Sequence, residues 1–256
     1  MNRRNFAGAV AGFAAAGALG KAQTTEKMRF LTLDTWQLKN GSEVTRLNDW
    51  LGNNLVPAVS KLTPGPVLVL EAVFAPRVPQ MMMLTGYSSF DQIAATQDRL
   101  SADPGLKTAY ERIEAGAEPL YEARTTSILE PTPYSPAIVA EKRDKPRLYE
   151  VRIYHAPTEW QFRALHDRMV GPVAKLFKVH GIEPLFYSTT RIGPNMPNIT
   201  YLIPWDSLGA REKAWDAFGA DPEWVKARKD SIDKSGQMVT MNDIEIYRAT
   251  AYSPVK

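Results

Sequence analysis

The triplet Ala-Asp-Pro occurs twice in this chain, at residues 102–104 and again at 220–222, 118 residues further on. Sliding the sequence over itself by that offset lays Tyr87-Ser88-Ser89-Phe90 on Trp205-Asp206-Ser207-Leu208. It also lays Tyr134-Ser135-Pro136 on Tyr252-Ser253-Pro254, Pro66 on Pro184, and Arg29 on Arg147. A tandem duplication explains these matches more simply than coincidence. A repeat of this length constrains the fold more than composition can, because each unit must be a supersecondary assembly that its twin completes.

Each half reads strand, helix, strand, strand, helix, strand. In the second half LYEVRIYHA is rich in β-branched and aromatic residues and predicts a strand. The helix that follows, TEWQFRALHDRMVGPVAKLFKVHG, repeats Phe162, His166, Met169, Val173, Leu176 and His180 at helical spacing, and Gly181 supplies its stop. LFYSTTRIG and NITYLIPW, joined by the turn-forming Gly-Pro-Asn-Met-Pro-Asn loop, predict a hairpin. After a helix from Ser207, Asp221 is placed to cap a new helix, Pro222 suits its first turn, and Glu223 suits the positive end of its dipole. The first half keeps the restart in Asp103-Pro104 but has Gly105 where the second has Glu223, which weakens that helix.

The order β-α-β-β-α-β specifies an α+β fold, a ferredoxin-like sandwich with both helices on one face of a four-stranded antiparallel sheet. The other face must be covered, and the linked twin offers a second sheet. The expectation is therefore two tandem ferredoxin-like repeats, residues 28–136 and 147–254, forming a pseudo-dimeric α/β barrel. The linker is 137–146, in the charge-rich stretch AEKRDKPR.

Residues 1–22, MNRRNFAGAVAGFAAAGALGKA, pair two arginines with an Ala/Gly-rich apolar run. This pattern reads as a twin-arginine export signal, with periplasmic or secreted localisation as its consequence. No later segment approaches the ~20 apolar residues of a membrane span, so the mature form is expected not to be membrane-embedded. The chain has 31 basic and 28 acidic residues; three of the basic ones, Arg3, Arg4 and Lys21, lie in the leader, and the remainder balances. A neutral mature chain gives no electrostatic reason to expect nucleic acid or an anionic membrane as a partner. With no cysteine, disulfides and thiolate chemistry are excluded together.

The stretch from Leu148 to Pro254 resembles the NIPSNAP family of the dimeric α/β-barrel superfamily. The resemblance is carried by YEVRIYH, HGIEPLFY, WDSLGAREKAWDAFGADPEWVKAR and IEIYRATAYSP. The first half departs from it: TLDTWQL replaces the opening motif, and a Met81-Met82-Met83 strand stands where the second half has NITYLI. What the resemblance implies is the barrel fold and a tendency to associate, so a homo-oligomer is open. It implies no agreed activity, catalytic residues or cofactor, although relatives in the wider superfamily look like oxygenases, isomerases and haem-dependent enzymes.

Alternation along LYEVRIYHA puts Tyr149, Val151 and Ile153 on one face and Glu150, Arg152 and Tyr154 on the other. The expectation is that the apolar set meets the helices. The polar set would then face the barrel interior, either as groups that bind a small anionic or carbonyl ligand or as an internal Glu–Arg pair holding the barrel together. His166 joins the candidate ligand-binding residues; the competing reading is a core histidine with a hydrogen-bonded ring, and a metal or haem role lacks converging ligands. His180 suits a helix end, and His155 is placed to line the barrel mouth. No protein-only metal cluster is expected from three histidines. Trp205, Trp215 and Trp224 suit core packing better than a ligand cage, yet Gln97 and Leu106 stand opposite the last two, an asymmetry favouring a role confined to one half. No phosphate loop, dinucleotide fingerprint or nucleophile elbow is present. The function expected is small-molecule binding in the barrel, with a cofactor-loaded oxygenase or isomerase and a protein-recruiting module as alternatives.

Overall fold

Strand alternation and helix restarts are realised at the same offset that relates the sequence motifs. The computed structural model describes residues 28–116, 118–139, 145 and 147–255, so the leader 1–22 and most of the linker lie outside the described residues. The first half comprises β1 (Phe30–Gln37), α1 (Ser42–Trp50), α2 (Val56–Leu62), β2 (Val67–Phe74), β3 (Gln80–Tyr87), α3 (Phe90–Ala102), α4 (Pro104–Glu114) and β4 (Ala123–Pro131). The second comprises β5 (Leu148–His155), α5 (Glu159–Arg168), α6 (Ala174–Val179), β6 (Phe186–Ile192), β7 (Asn198–Trp205), α7 (Leu208–Ala220), α8 (Pro222–Ser235) and β8 (Met241–Ala249). The bounds of β1 and β5, β3 and β7, α3 and α7, and β4 and β8 coincide at the 118-residue offset.

The long helix expected after each first strand is interrupted by one π-helical turn, Leu51–Leu55 and Met169–Val173, again at matching positions. Pro172 sits inside the second of these turns, where its missing N–H is absorbed by the local change of pitch. Gly181 ends the helical stretch at φ 70°, as its position predicts. Asp103 and Asp221 both cap: one carboxylate oxygen accepts from Gly105 and Leu106, the other from Glu223 and Trp224. α4 runs 11 residues and α8 runs 14, in line with Gly105 weakening the first.

The eight strands close into a barrel in the order β1-β3-β2-β8-β5-β7-β6-β4, antiparallel throughout. Two seams, β2 with β8 and β4 with β6, join the halves, and each carries a register shift. The barrel interior is one apolar cluster drawn from both halves: Leu31, Leu68, Leu70, Met82, Leu84 and Leu129 meet Tyr149, Val151, Phe186, Leu202 and Tyr247. A separate core lies between sheet and helices in each half.

This arrangement corrects the assignment of faces on β5. Tyr149 and Val151, with Ile153 packed against them, line the barrel interior, while Glu150, Arg152 and Tyr154 face the helices. The reason is water access. An interior walled by eight strands is the drier layer and takes the apolar set, whereas the helix layer supplies Arg and Trp side chains that can satisfy a carboxylate.

The repeated Tyr-Ser-Pro motifs form reciprocal clasps. After β4, Thr132 N–H donates to the Tyr187 carbonyl at 2.8 Å, and Ser135 Oγ accepts from Tyr187 N–H at 3.0 Å. After β8, Thr250 N–H donates to the Val69 carbonyl at 2.9 Å, and Ser253 Oγ accepts from Val69 N–H at 2.9 Å. Each half's tail thus bonds a strand of the other.

Candidate functional site

The cleft between sheet and helices exists in both halves, and the two copies differ in what fills it. In the second half Glu150 is fully buried on the helix side of β5. Its carboxylate accepts from the indole N–H groups of Trp205 and Trp215, each at 2.9 Å, and from Arg211 Nε at 3.0 Å and Nη2 at 2.8 Å. Arg152 stands 3.2 Å from the same carboxylate, its guanidinium 4.1 Å from the Trp215 ring centre. Burial works against the charge on Arg152, but Tyr201, Tyr154 and Glu150 outweigh it and hold its pKa above the ordinary value. Burial above all, with Tyr154 beside it, pushes the Tyr201 phenol well up. Phe177, Phe218 and Trp224 complete the filling by ring contacts at 4.6–5.8 Å. Of the residues singled out in sequence, the structure brings Glu150, Arg152 and Tyr154 together in a packed layer, in which the Glu150 carboxylate is satisfied by the protein itself while the buried Arg152 Nε and Tyr201 hydroxyl have no hydrogen-bond partner.

In the first half the same layer is open. Positions 118 residues before Trp215, Phe218 and Trp224 are Gln97, Leu100 and Leu106. The smaller side chains leave a cavity of about 270 Å³ whose apolar wall includes Leu55, Val59, Met83, Leu100 and Leu106. Its polar side is built by β1, β3 and β4. Asp34, at the position matching Arg152, is buried, and its Oδ1 accepts from Arg124 at 2.8 Å and from Thr126 at 2.6 Å. Arg124 lies 5.2 Å from the Trp36 ring centre, with its side chain 38% exposed at the mouth. Tyr87 and Tyr110 also reach the cavity. Burial raises both phenols, Tyr110 with help from Tyr121 and Glu114, so both stay protonated and able to donate. Asp34, Arg124, Tyr87 and Tyr110 are the residues that sequence reasoning missed. The signal that pointed here was the unduplicated aromatic set, Gln97 against Trp215 and Leu106 against Trp224.

His166 lies apart from both clefts, on α5. Its Nδ1 is 2.9 Å from the Tyr134 hydroxyl, and burial lowers its pKa, partly offset by Asp167. The matching pair in the other clasp is Tyr252 donating to Asn48 Oδ1 at 2.8 Å. An amide oxygen and an imidazole nitrogen thus stand at one position, each hydrogen-bonded to the clasp tyrosine. His180 bonds Asp221 at 2.7 Å, and His155 sits in the barrel wall 2.8 Å from Asp243. Among the described residues no group of three or more His, Asp and Glu side chains is disposed to hold a metal ion. No helix among them is long and apolar enough to cross a membrane.

The NIPSNAP family model matches residues 149–254. No curated protein matches the chain. Among solved structures, an anthrone oxidase-like protein is similar over 88% of this chain and 93% of its own, at 13% identity and a TM-score of 0.56. A mutant chlorite dismutase from Candidatus Nitrospira defluvii is similar over 89% of this chain and 93% of its own, at 10% identity and a TM-score of 0.53. A NIPSNAP family protein with unknown function from Agrobacterium tumefaciens covers 44% of this chain and 97% of its own, at 20% identity and a TM-score of 0.39. The chain thus has an α+β barrel fold like that of the anthrone oxidase-like protein, and the NIPSNAP likeness is confined to its second half.

Proposed function

We propose that this is a small-molecule-binding barrel whose ligand sits in the first-half cleft, between Asp34, Arg124, Tyr87 and Tyr110 on the polar side and Leu55, Val59 and Met83 on the apolar side. The observation that carries this reading is the contrast within one molecule: the cleft filled by Trp215, Phe218 and Trp224 in one half is a cavity in the other. A cavity of this size takes a fragment-sized ligand. Two protonated phenols and a guanidinium favour one that presents an acceptor oxygen, such as a small aromatic ketone, over one that presents a donor. Glu150, Arg152 and Tyr154 are then the closed counterpart of the site, holding the second half rigid. Likeness of fold to an oxidase-like protein and a dismutase carries no reaction over.

The wider reading is of two ferredoxin-like units, residues 28–136 and 147–254, descended from one duplicated unit and joined by 137–146. Matching element bounds and reciprocal clasps support it. Residues 1–22 act as a twin-arginine signal that delivers the folded chain to the periplasm or beyond; the Arg3-Arg4 pair and the Ala/Gly-rich run support this. The ligand site is tested by closing the cleft with the second half's own residues in the double variant Q97W/L100F. Ligand-detected NMR with acetophenone should show binding to the natural chain, weakened about tenfold or more in the double variant. Equal binding by a double variant of unchanged melting temperature overturns the assignment.

A further inference from the structure

The two clasps differ in what lies beneath them, and the difference opens a groove of about 690 Å³ beside α5, bordered by Tyr134, Trp160, Arg163, His166, Val170 and Lys234. Two positions related by the 118-residue offset account for it, and a third differs in sequence. In the first half Arg46 crosses this region, donating to the carbonyls of Ile113 and, at 3.0 Å, Glu118; its counterpart is Ala164. Gly52 lets the Tyr252 ring lie directly on the helix, since a Cβ there would meet that ring at 2.9 Å, and its counterpart is Val170, which bars the same seat to Tyr134. Ser42 is answered by Trp160. One half fills the space with a guanidinium, and the other leaves it lined with rings.

The groove's surfaces are unusual for a solvated helix face. Trp160 is 52% exposed and Val170 54%, so two large apolar side chains stand in water beside a concavity. Covering such surface is favourable in itself. Arg163 and Lys234 border the same groove, and neither has an ion-pair partner among the described residues; Asp167 is the one carboxylate among the residues that line it. With the Tyr134 hydroxyl as donor to Nδ1, the arrangement that the Tyr252–Asn48 pair has, the neutral ring carries its proton on Nε2 and can donate there. Apolar rings, a surplus of positive charge and an N–H donor together match one chemical class.

We propose that this groove is a second ligand site, distinct from the first-half cleft, that binds a planar aromatic carboxylate with its ring against Trp160 and its charge toward Arg163 and Lys234. Plain hydrophobic burial does not need the charge, and plain ion pairing does not need the rings, so the two contributions separate in a test. The probe is 1-naphthoate, with 1-naphthalenemethanol as its uncharged counterpart, titrated into the full chain by calorimetry. The natural chain should bind naphthoate about fivefold or more tightly than the alcohol. A164R transplants the plug of the first half and should weaken naphthoate about tenfold or more; W160S, which opens the wall instead of filling the groove, should weaken it severalfold. Q97W, which alters only the first-half cleft, should leave naphthoate binding unchanged. Wild-type affinity in both A164R and W160S at unchanged melting temperature overturns the site, and loss in Q97W relocates the ligand and overturns it equally. Equal binding of acid and alcohol, or no binding of naphthoate to the natural chain, overturns the ligand class.

Discussion

At the scale of single residues, Glu150 and His166 show how differently two buried polar groups are held. Glu150 has no exposure and receives two indole and two guanidinium N–H bonds beside the Arg152 ion pair. Truncation in E150A strands those donors and the buried Arg152 charge, and should cost about 3–5 kcal/mol in urea unfolding. A loss below about 1 kcal/mol would show that the cluster is solvated rather than sealed. His166 is held neutral, because burial lowers its folded pKa beneath the unfolded value of 6.5. Its favourable contribution is therefore present above the unfolded pKa and is lost as pH falls toward and through the folded value. H166N installs the residue that the other clasp uses at this position, Asn48, and keeps an acceptor without a titrating ring. Between pH 7.5 and pH 5 the natural chain should lose more melting temperature than H166N does. Equal losses would mean that the ring titrates alike in folded and unfolded states.

At the scale of elements, the two Asp-Pro helix starts offer a paired comparison. Asp103 caps α4 through its own carboxylate alone, whereas Asp221 caps α8 with one oxygen and bonds His180 with the other, and these bonds hold its pKa below the usual carboxylate range. D103A should cost about 1 kcal/mol, an ordinary cap, and D221A more, with the excess vanishing in an H180L background. The same residues show what the sequence made legible. Capping chemistry is local, so Asp103, Asp221 and the stop at Gly181 could be read from neighbours within four positions. Strand alternation is local too, and it correctly separated Glu150, Arg152 and Tyr154 from Tyr149, Val151 and Ile153. Which face meets which layer is not local: it depends on barrel closure and on Trp205, Trp215 and Arg211 arriving from 55 to 65 residues away. The first-half cleft was hidden for a related reason. A cavity is the absence of side chains contributed by several elements, and only the mismatches of Gln97 with Trp215 and of Leu106 with Trp224 carried any trace of it.

At the scale of the whole molecule, the barrel interior is the feature that neither half can complete. Its apolar cluster takes Leu31, Leu68, Leu70, Met82, Leu84 and Leu129 from one half and Tyr149, Val151, Phe186, Leu202 and Tyr247 from the other. Separated, the second half would bare an apolar sheet face together with the unpaired edges of β6 and β8, which is a template for association. The geometry of that association is already written in the chain. β2 pairs β8, β4 pairs β6, and the 118-residue offset makes β6 the counterpart of β2 and β8 the counterpart of β4. Two copies of the second half can therefore close the same barrel by pairing β6 of each with β8 of the other, a two-fold arrangement with both seams equivalent. Residues 147–255 expressed alone should sediment as a dimer at micromolar concentration, with the strand content of the parent. Introducing a charge into the shared interior with V151D should dissociate that dimer and unfold it together, since the face has no stable uncovered state. A folded monomer in either case would mean that each sheet is stabilised by its own helices alone, and that closure contributes shape rather than stability.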